Sequence, residues 1–374
     1  MKNGKSAHIL VVSDPPAEPG YLPRVRYLCD YLVQKGYQVT LLTEEYKPLP
    51  FAHSYPIETI RMYTGGTFDW FVKTIWTLLT DWHNQVFATK WLNGKRPNGT
   101  CFDLVLCTAF SDFPLGAAQR IAKQLNVPLI CDIRDLDEQV DNSRYQYRHK
   151  QWWLMPFRRL YRAIHICRRN QVLRAADAIT TVSPWHADFI RQFNTNVHTV
   201  YNGFDDKQFY SEDVLTDRFT ITYIGSFFEW QQAGLKKVKQ AIETLGLPII
   251  LEIHTPQNNP VPYDRLGDAI RRSGIMLVLT SANTHGMLTT KFYEALGCEK
   301  PILCVPSDQG SLAELIAYTN AGIATDDLDT IKTFILEQYR AWEKQSFTRQ
   351  ATQHREEFSR ATQCENFINL FSRL

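Results

Sequence analysis

Residues 102–133 read "FDLVLCTAFSDFPLGAAQRIAKQLNVPLICDI". Two short apolar runs, "FDLVLCTA" (102–109) and "VPLICDI" (127–133), flank "GAAQRIAKQLN" (116–126), whose apolar spacing is helical. Apolar runs without polar alternation belong to strands buried on both faces. A helix between two such strands makes them parallel neighbours.

The same alternation extends in both directions. "HILVVSD" (8–14) and "YQVTLLT" (37–43) read as strands around the helix "RVRYLCDYLVQKG" (24–36), which stops at Gly36. "DAITTVS" (177–183) and "VHTVYNG" (197–203) add two more. The pattern then restarts with strands at 219–226, 248–255, 275–281, 301–306 and 321–326. Helices over 233–246, 263–272, 290–297 and 311–319 separate them, and a charged, mainly helical stretch covers 329–374. The expectation is an α/β protein with two facing Rossmann-like domains, each with a parallel sheet, and a ligand cleft between them. The N-terminal domain is expected over 1–203 and the C-terminal one over 204–346. A helical tail, 347–374, is expected to pack back toward the N-terminal domain.

Bulk properties narrow the class. The chain has 374 residues, 44% hydrophobic and 21% charged, which suits a globular protein large enough for two cores. A net charge of +2 argues against a dedicated nucleic-acid binder, so no nucleic-acid partner is expected. The eight cysteines form no CxxC pair and mostly sit in apolar runs, as small buried hydrophobes in a reducing compartment do. "MKNGKSAHILVVSD" lacks the apolar core and cleavage site of a signal peptide. No stretch reaches the roughly 20 apolar residues of a spanning helix. A cytoplasmic location is expected.

Chemistry-bearing residues cluster where strands end. The loop "SDPPAEPGYLPR" (13–24) runs into the first helix. Gly20, with Tyr21 beside it, permits close backbone approach to a ligand, and Arg24 opens the helix. In "CDIRDLDEQ" (131–139), Asp132, Arg134 and Asp135 leave a buried strand directly, so they either pair internally or face a cleft. Its "DLD" (135–137) is also a short match to a metal-binding DxD, too short to carry an assignment. Asn202-Gly203 suits a positive-φ turn at the crossover. In the second half, Gly225-Ser226 ends a strand. "TTKFYEALG" (289–297) then places Thr289 or Thr290 at a helix N-cap with Lys291 in the first turn. A cation there opposes the helix dipole unless it meets an anion, and a diphosphate would resolve the conflict. Glu294 is placed either to pair with Lys291 at i,i+3 or to accept hydrogen bonds from a ribose.

Residues 144–176 carry eight arginines, one lysine and no acid, interleaved with Trp152, Trp153, Phe157, Leu160, Tyr161 and other apolar groups. That composition suits an interfacial segment on an anionic membrane surface. A plain amphipathic helix with solvated arginines and a single-stranded nucleic-acid surface are the competing readings. "FDWFVKTIWTLLTDWHNQVFATKW" (68–91) offers a second such surface.

Taken together, the motifs resemble the family-4 glycosyltransferases of GT-B fold, in particular bacterial enzymes that build surface polysaccharides. The similarity runs through "PPAEPGYLPRVRYLCDYLVQKGYQVTLLT", "DIRDL", "ADAITTVS", "VYNGFDDKQF" and "KFYEALGCEKPILCVP". The resemblance implies a nucleotide-sugar donor held by the C-terminal domain and no further cofactor. It also implies a lipid-linked or oligosaccharide acceptor on the N-terminal side, near Gly20 and Tyr21. Transfer would retain the anomeric configuration without a metal. Lys291 and Glu294 match the K-x-x-E pattern, Glu294 as the ribose ligand, and Gly225 matches the glycine after the first C-domain strand. Arg24, Asp132 and Arg134 fall at the catalytic centre. His285 and Gly286 stand where the family has its first glutamate, and Lys236 or Lys237 substitutes for the family's diphosphate-binding Arg and Lys. The segment before "IMLVLTS" is one strand–helix unit short. The resemblance also allows a nucleotide-sugar 2-epimerase of the same fold, or a non-catalytic partner subunit.

Overall fold

The computed structural model describes residues 7–14, 23–45, 53–62, 67–94, 101–109, 112–139, 155–280 and 286–374, with the backbone alone at 23, 67–72, 74 and 155–158. The chain divides into two compact units, Met1–Val200 with Cys364–Leu374, and Tyr201–Gln363.

The first unit is built on seven parallel strands: β1 (His8–Ser13), β2 (Gln38–Glu44), β3 (Ile57–Ile60), β4 (Leu104–Ala109), β5 (Leu129–Ile133), β6 (Ala178–Thr181) and β7 (Val197–Thr199). Their order is β3-β2-β1-β4-β5-β6-β7, so the chain reverses direction across the sheet between β1 and β4. Its helices are α1 (Pro23–Gln34), α2 (Thr67–Thr80), α3 (Trp82–Asn93), α4 (Asp112–Leu125), α5 (Met155–Ala175) and α6 (Pro184–Ile190). The two-residue period of the strands sorts the core. Leu10, Val12, Leu42, Val105 and Cys131 pack against α3, α4 and α5 through Phe87, Trp91, Ile121 and Leu173. Ile9, Val11, Leu41, Leu106 and Ile130 face the other way, onto Val25, Leu28 and Leu32 of α1 and onto Cys364, Phe367 and Leu370. Burying each such aliphatic side chain contributes about 1.5–3 kcal/mol.

The second unit has five parallel strands, β8 (Phe219–Ile224), β9 (Ile249–His254), β10 (Ile275–Leu279), β11 (Ile302–Val305) and β12 (Gly322–Ala324), in the order β12-β11-β10-β8-β9. Its helices are α7 (Gln232–Leu245), α8 (Leu266–Arg272), α9 (Thr290–Gly297), α10 (Ser311–Tyr318) and α11 (Leu328–Gln345), followed by α12 (Arg360–Phe371). Between β9 and β10 the chain makes a 3-10 turn and α8 and no strand, which leaves β9 as the sheet edge. Gly203 has φ 65, as a turn at Asn202-Gly203 requires.

One reading of the sequence needs correction. The stretch 68–91 is not one surface: α3 turns Phe87, Ala88 and Trp91 into the core, and the exposed apolar groups, Ile75, Trp76 and Leu79, all lie on α2. The "DLD" stretch follows β5 in a loop held by hydrogen bonds. Asp135 accepts a hydrogen bond from Gln139 Nε2 (3.1 Å), and the Asp137 carbonyl accepts one from Arg162 (2.7 Å).

His186 on α6 shows how tightly the loop after β5 is held. Its Nε2 meets Gln139 Oε1, and its ring is 1% exposed. Burial, with the Arg169 charge nearby, pushes its pKa down to about 4. The unfolded chain protonates this imidazole near its ordinary value of 6.5, whereas the folded chain keeps it neutral to about 4. Its contribution is therefore complete above pH 6.5 and is lost as pH falls toward 4, up to about 3 kcal/mol. Urea titrations at neutral and mildly acid pH are expected to show a steeper acid loss in the wild type than in His186→Gln. Equal slopes would contradict the buried neutral imidazole.

Candidate functional site

In the second unit, Thr289 caps α9: its hydroxyl accepts from the Lys291 N–H at 3.4 Å. A neutral cap leaves the positive end of the helix dipole uncompensated. Lys291 adds a full charge there. Its ammonium sits 5.2 Å from the centre of the Tyr223 ring and forms no ion pair among the described residues. The lysine stem folds against Gly225, at the carboxyl end of β8, where a Cβ would come within 2.8 Å of Cε and 2.9 Å of Nζ. Gly225 also has φ 131 and donates its N–H to the His254 carbonyl at 2.9 Å. A glycine is thus required twice, by its backbone and by the lysine beside it.

Lys291 and Glu294 are half-buried on the same face of α9. Burial lowers the Lys291 pKa from its ordinary value, and the nearby Glu294 charge only partly offsets this. Burial likewise raises the Glu294 pKa, against the charges of Lys291 and Arg360 and a hydrogen bond from the Thr290 hydroxyl. Tyr223 and the loop after β8 are fixed by Gln231. Tyr223 Oη donates to the Ser226 carbonyl at 2.6 Å, and Gln231 bonds the Phe228 N–H (2.9 Å) and the Leu279 carbonyl (2.9 Å). By contrast, the N-terminus of α10 is already filled. Asp308 accepts from the N–H groups of Leu312 (3.0 Å) and Ala313 (2.9 Å). Of these two helix starts, α9 is the one open to an added anion.

The residues named from the sequence fall out as follows. Gly225, Ser226, Thr289, Thr290, Lys291 and Glu294 come together around β8 and α9. Gly286 lies just before them with φ 62, a conformation that favours glycine over the glutamate of the family pattern. His285, Gly20 and Tyr21 lie outside the described residues. The Lys237 ammonium donates to the Asp326 carbonyl at 2.8 Å. Tyr223, Gln231 and Arg360 escaped notice. An aromatic ring inside an apolar strand carries no local sign of a charge above it, and the Arg360 charge acts on Glu294 from far along the chain.

In the first unit, Arg24 and Asp132 meet as a buried pair. Arg24 Nε and Nη2 donate to the two Asp132 oxygens at 3.0 and 2.8 Å, and its guanidinium lies 5.2 Å from the Phe367 ring centre. The Asp132 carboxylate also accepts from Thr108 (3.1 Å) and Thr180 (2.7 Å). Burial alone would raise the Asp132 pKa, but the Arg24 charge and these hydrogen bonds outweigh it and hold the pKa below the usual range. Arg134 Nη2 reaches Asp14 at 3.2 Å. α1, β1, β4, β5 and β6 are therefore tied together at the carboxyl end of the sheet. In this arrangement Arg24 and Asp132 hold each other and the strand ends.

Residues 24–208 match the family model Glycosyltransferase Family 4. No curated protein sequence matches the chain. Among solved structures, it is similar to a glycosyltransferase from Rickettsia africae (TM-score 0.60, 12% identity, covering 98% of each chain). It is also similar to HepE from Anabaena in complex with UDP-glucose (TM-score 0.55, 12% identity, 98% of this chain and 100% of that one). The catalytic domain of starch synthase IV from Arabidopsis thaliana, bound to ADP and acarbose, is a further neighbour (TM-score 0.54, 12% identity, 99% of each chain). Two units with parallel sheets on this pattern define the GT-B glycosyltransferase fold. Its first half carries the family-4 match.

Proposed function

We propose that the protein is a retaining, metal-independent glycosyltransferase acting in surface polysaccharide biosynthesis. In this reading it moves a sugar from a nucleotide-sugar donor to a lipid-linked or polysaccharide acceptor. The observation that carries this is Lys291, a half-buried cation that forms no ion pair among the described residues, at the start of α9 and beside Gly225. A diphosphate supplies the missing charge, and its departure from the sugar is eased by the same lysine and helix. Glu294, one turn on, takes the ribose hydroxyls. Support comes from neighbours whose structures hold UDP-glucose and ADP. Same-face attack assisted by the leaving phosphate is the step this reading proposes. A panel of UDP-, ADP- and GDP-sugars, supplied with membrane lipid extract and EDTA, tests the reading. Transfer with retained anomeric configuration is expected from at least one donor. Consumption of none of them, or inversion of the product, would count against it.

The acceptor class places the enzyme at an anionic membrane, peripherally and on the cytoplasmic face. α2 exposes Ile75, Trp76 and Leu79, and α5 exposes Leu160 among its arginines. Arg168 of α5 donates to the Thr77 and Leu78 carbonyls at the end of α2, at 2.6 and 2.7 Å, so the apolar and basic surfaces adjoin. Residues 144–154 of the basic segment lie outside the described residues. No helix among the described residues is long and apolar enough to cross a membrane. Sedimentation with phosphatidylglycerol vesicles is expected, and it should fall several-fold in Trp76→Ser/Leu79→Ser or with phosphatidylcholine alone. Equal sedimentation in all three conditions would refute the surface.

A further inference from the structure

Asp112 opens α4 just beyond the carboxyl end of β4, beside the point where the sheet order reverses. Ligands bind at such points in open α/β sheets. The carboxylate is 2% exposed, and its Oδ1 contacts His165 Nδ1 on α5. That contact engages Nδ1 and leaves Nε2, on the far side of the ring, for another partner. Yet His165 Nε2 and Asp112 Oδ2 are both buried with no hydrogen-bond partner among the described residues. Buried polar atoms in native folds are rarely left unpaired, and two on one contacting pair is rarer still. The position is rigid rather than accidental. Asn84, itself 1% exposed, donates to the Asp112 carbonyl (3.3 Å) and accepts from the Ala117 N–H (2.9 Å). Tyr161, one helical turn before His165, lays its ring 3.9 Å from the imidazole and is 38% exposed.

We propose that Asp112, His165 and Tyr161 form a carbohydrate subsite of the first unit. It rests on the glycosyltransferase reading and names the residues that take the acceptor sugar. Two buried polar atoms on one contacting pair call for a ligand whose groups both donate and accept, and hydroxyl groups do so without adding charge. An aromatic ring alongside offers its face to the C–H side of a pyranose. Movement of the partly exposed Tyr161 ring opens the pair.

The test is imidazole ¹⁵N NMR of the full-length protein, with the His165 signals assigned by their loss in His165→Asn. That variant keeps an N–H donor for Asp112 and removes Nε2. Titration with methyl glucoside, methyl mannoside and methyl galactoside should move the His165 Nε2 resonance saturably for at least one, with Kd about 1–10 mM. Sugar saturation-transfer signals should vanish in His165→Asn while its melting temperature holds. No shift with any sugar, or a shift with ethanolammonium in its place, overturns the subsite. Parallel titration with UDP, ADP and GDP separates the two ideas. Nucleotide binding without a sugar effect rejects only the subsite, and a sugar effect without nucleotide binding rejects the transferase reading.

Discussion

Asp132→Ala is expected to lower the stability of the first unit by about 3–5 kcal/mol, a fall in Tm on the order of 10 °C. The carboxylate is 2% exposed and Arg24 8%, so removing it takes the two-point acceptor away from a buried guanidinium that lies beside Phe367. Most of the loss is the cost of breaking a buried ion pair from one side. A double variant, Arg24→Met/Asp132→Leu, is therefore expected to recover much of the stability, because paired apolar groups of similar size replace a buried ion pair at little cost. Calorimetry of the four forms checks this. A mild Asp132→Ala phenotype would mean that the pair is not what ties α1 to β5.

Lys291→Met should behave in the opposite way. Burial already lowers this ammonium's pKa, and no described residue pairs with it. Removing the charge is therefore expected to leave the melting temperature unchanged or slightly raised. Binding of a nucleoside diphosphate should weaken by about 10- to 150-fold, the equivalent of about 1.5–3 kcal/mol for a lost hydrogen bond to a charged group. A residue that costs stability and carries affinity is what a binding site leaves behind when its ligand is absent. Thermal shift with and without nucleotide reads both effects in one experiment. Marked destabilisation without loss of affinity would make Lys291 a structural residue.

Legibility in the sequence followed burial. β1, β4, β5, β10 and β11 are covered on both faces, so each appears as an apolar run. β3, "IETI", is half-exposed and has no such run, and α6 is only seven residues long; neither was visible. α2 and α3 look alike in composition, since aromatics suit a core and a surface equally, and packing alone separates Trp91 from Trp76. Lys291 was legible because its charge conflicts with the start of its own helix. The Arg24–Asp132 pair was half-legible: charges leaving a buried strand demand a partner, but nothing local identifies one 108 positions away. Asp112 and His165 gave no signal, because an aspartate at a helix start reads as an ordinary cap.

The central claim is that the start of α9 holds the donor's diphosphate. Isothermal titration of the wild-type protein with UDP, ADP and GDP, in EDTA and at low salt, tests it most directly. At least one nucleotide is expected to bind at micromolar Kd, with 1:1 stoichiometry and an affinity lost in both Lys291→Met and Glu294→Gln. Absence of binding by all three, or the same Kd in wild type and Lys291→Met, would contradict it.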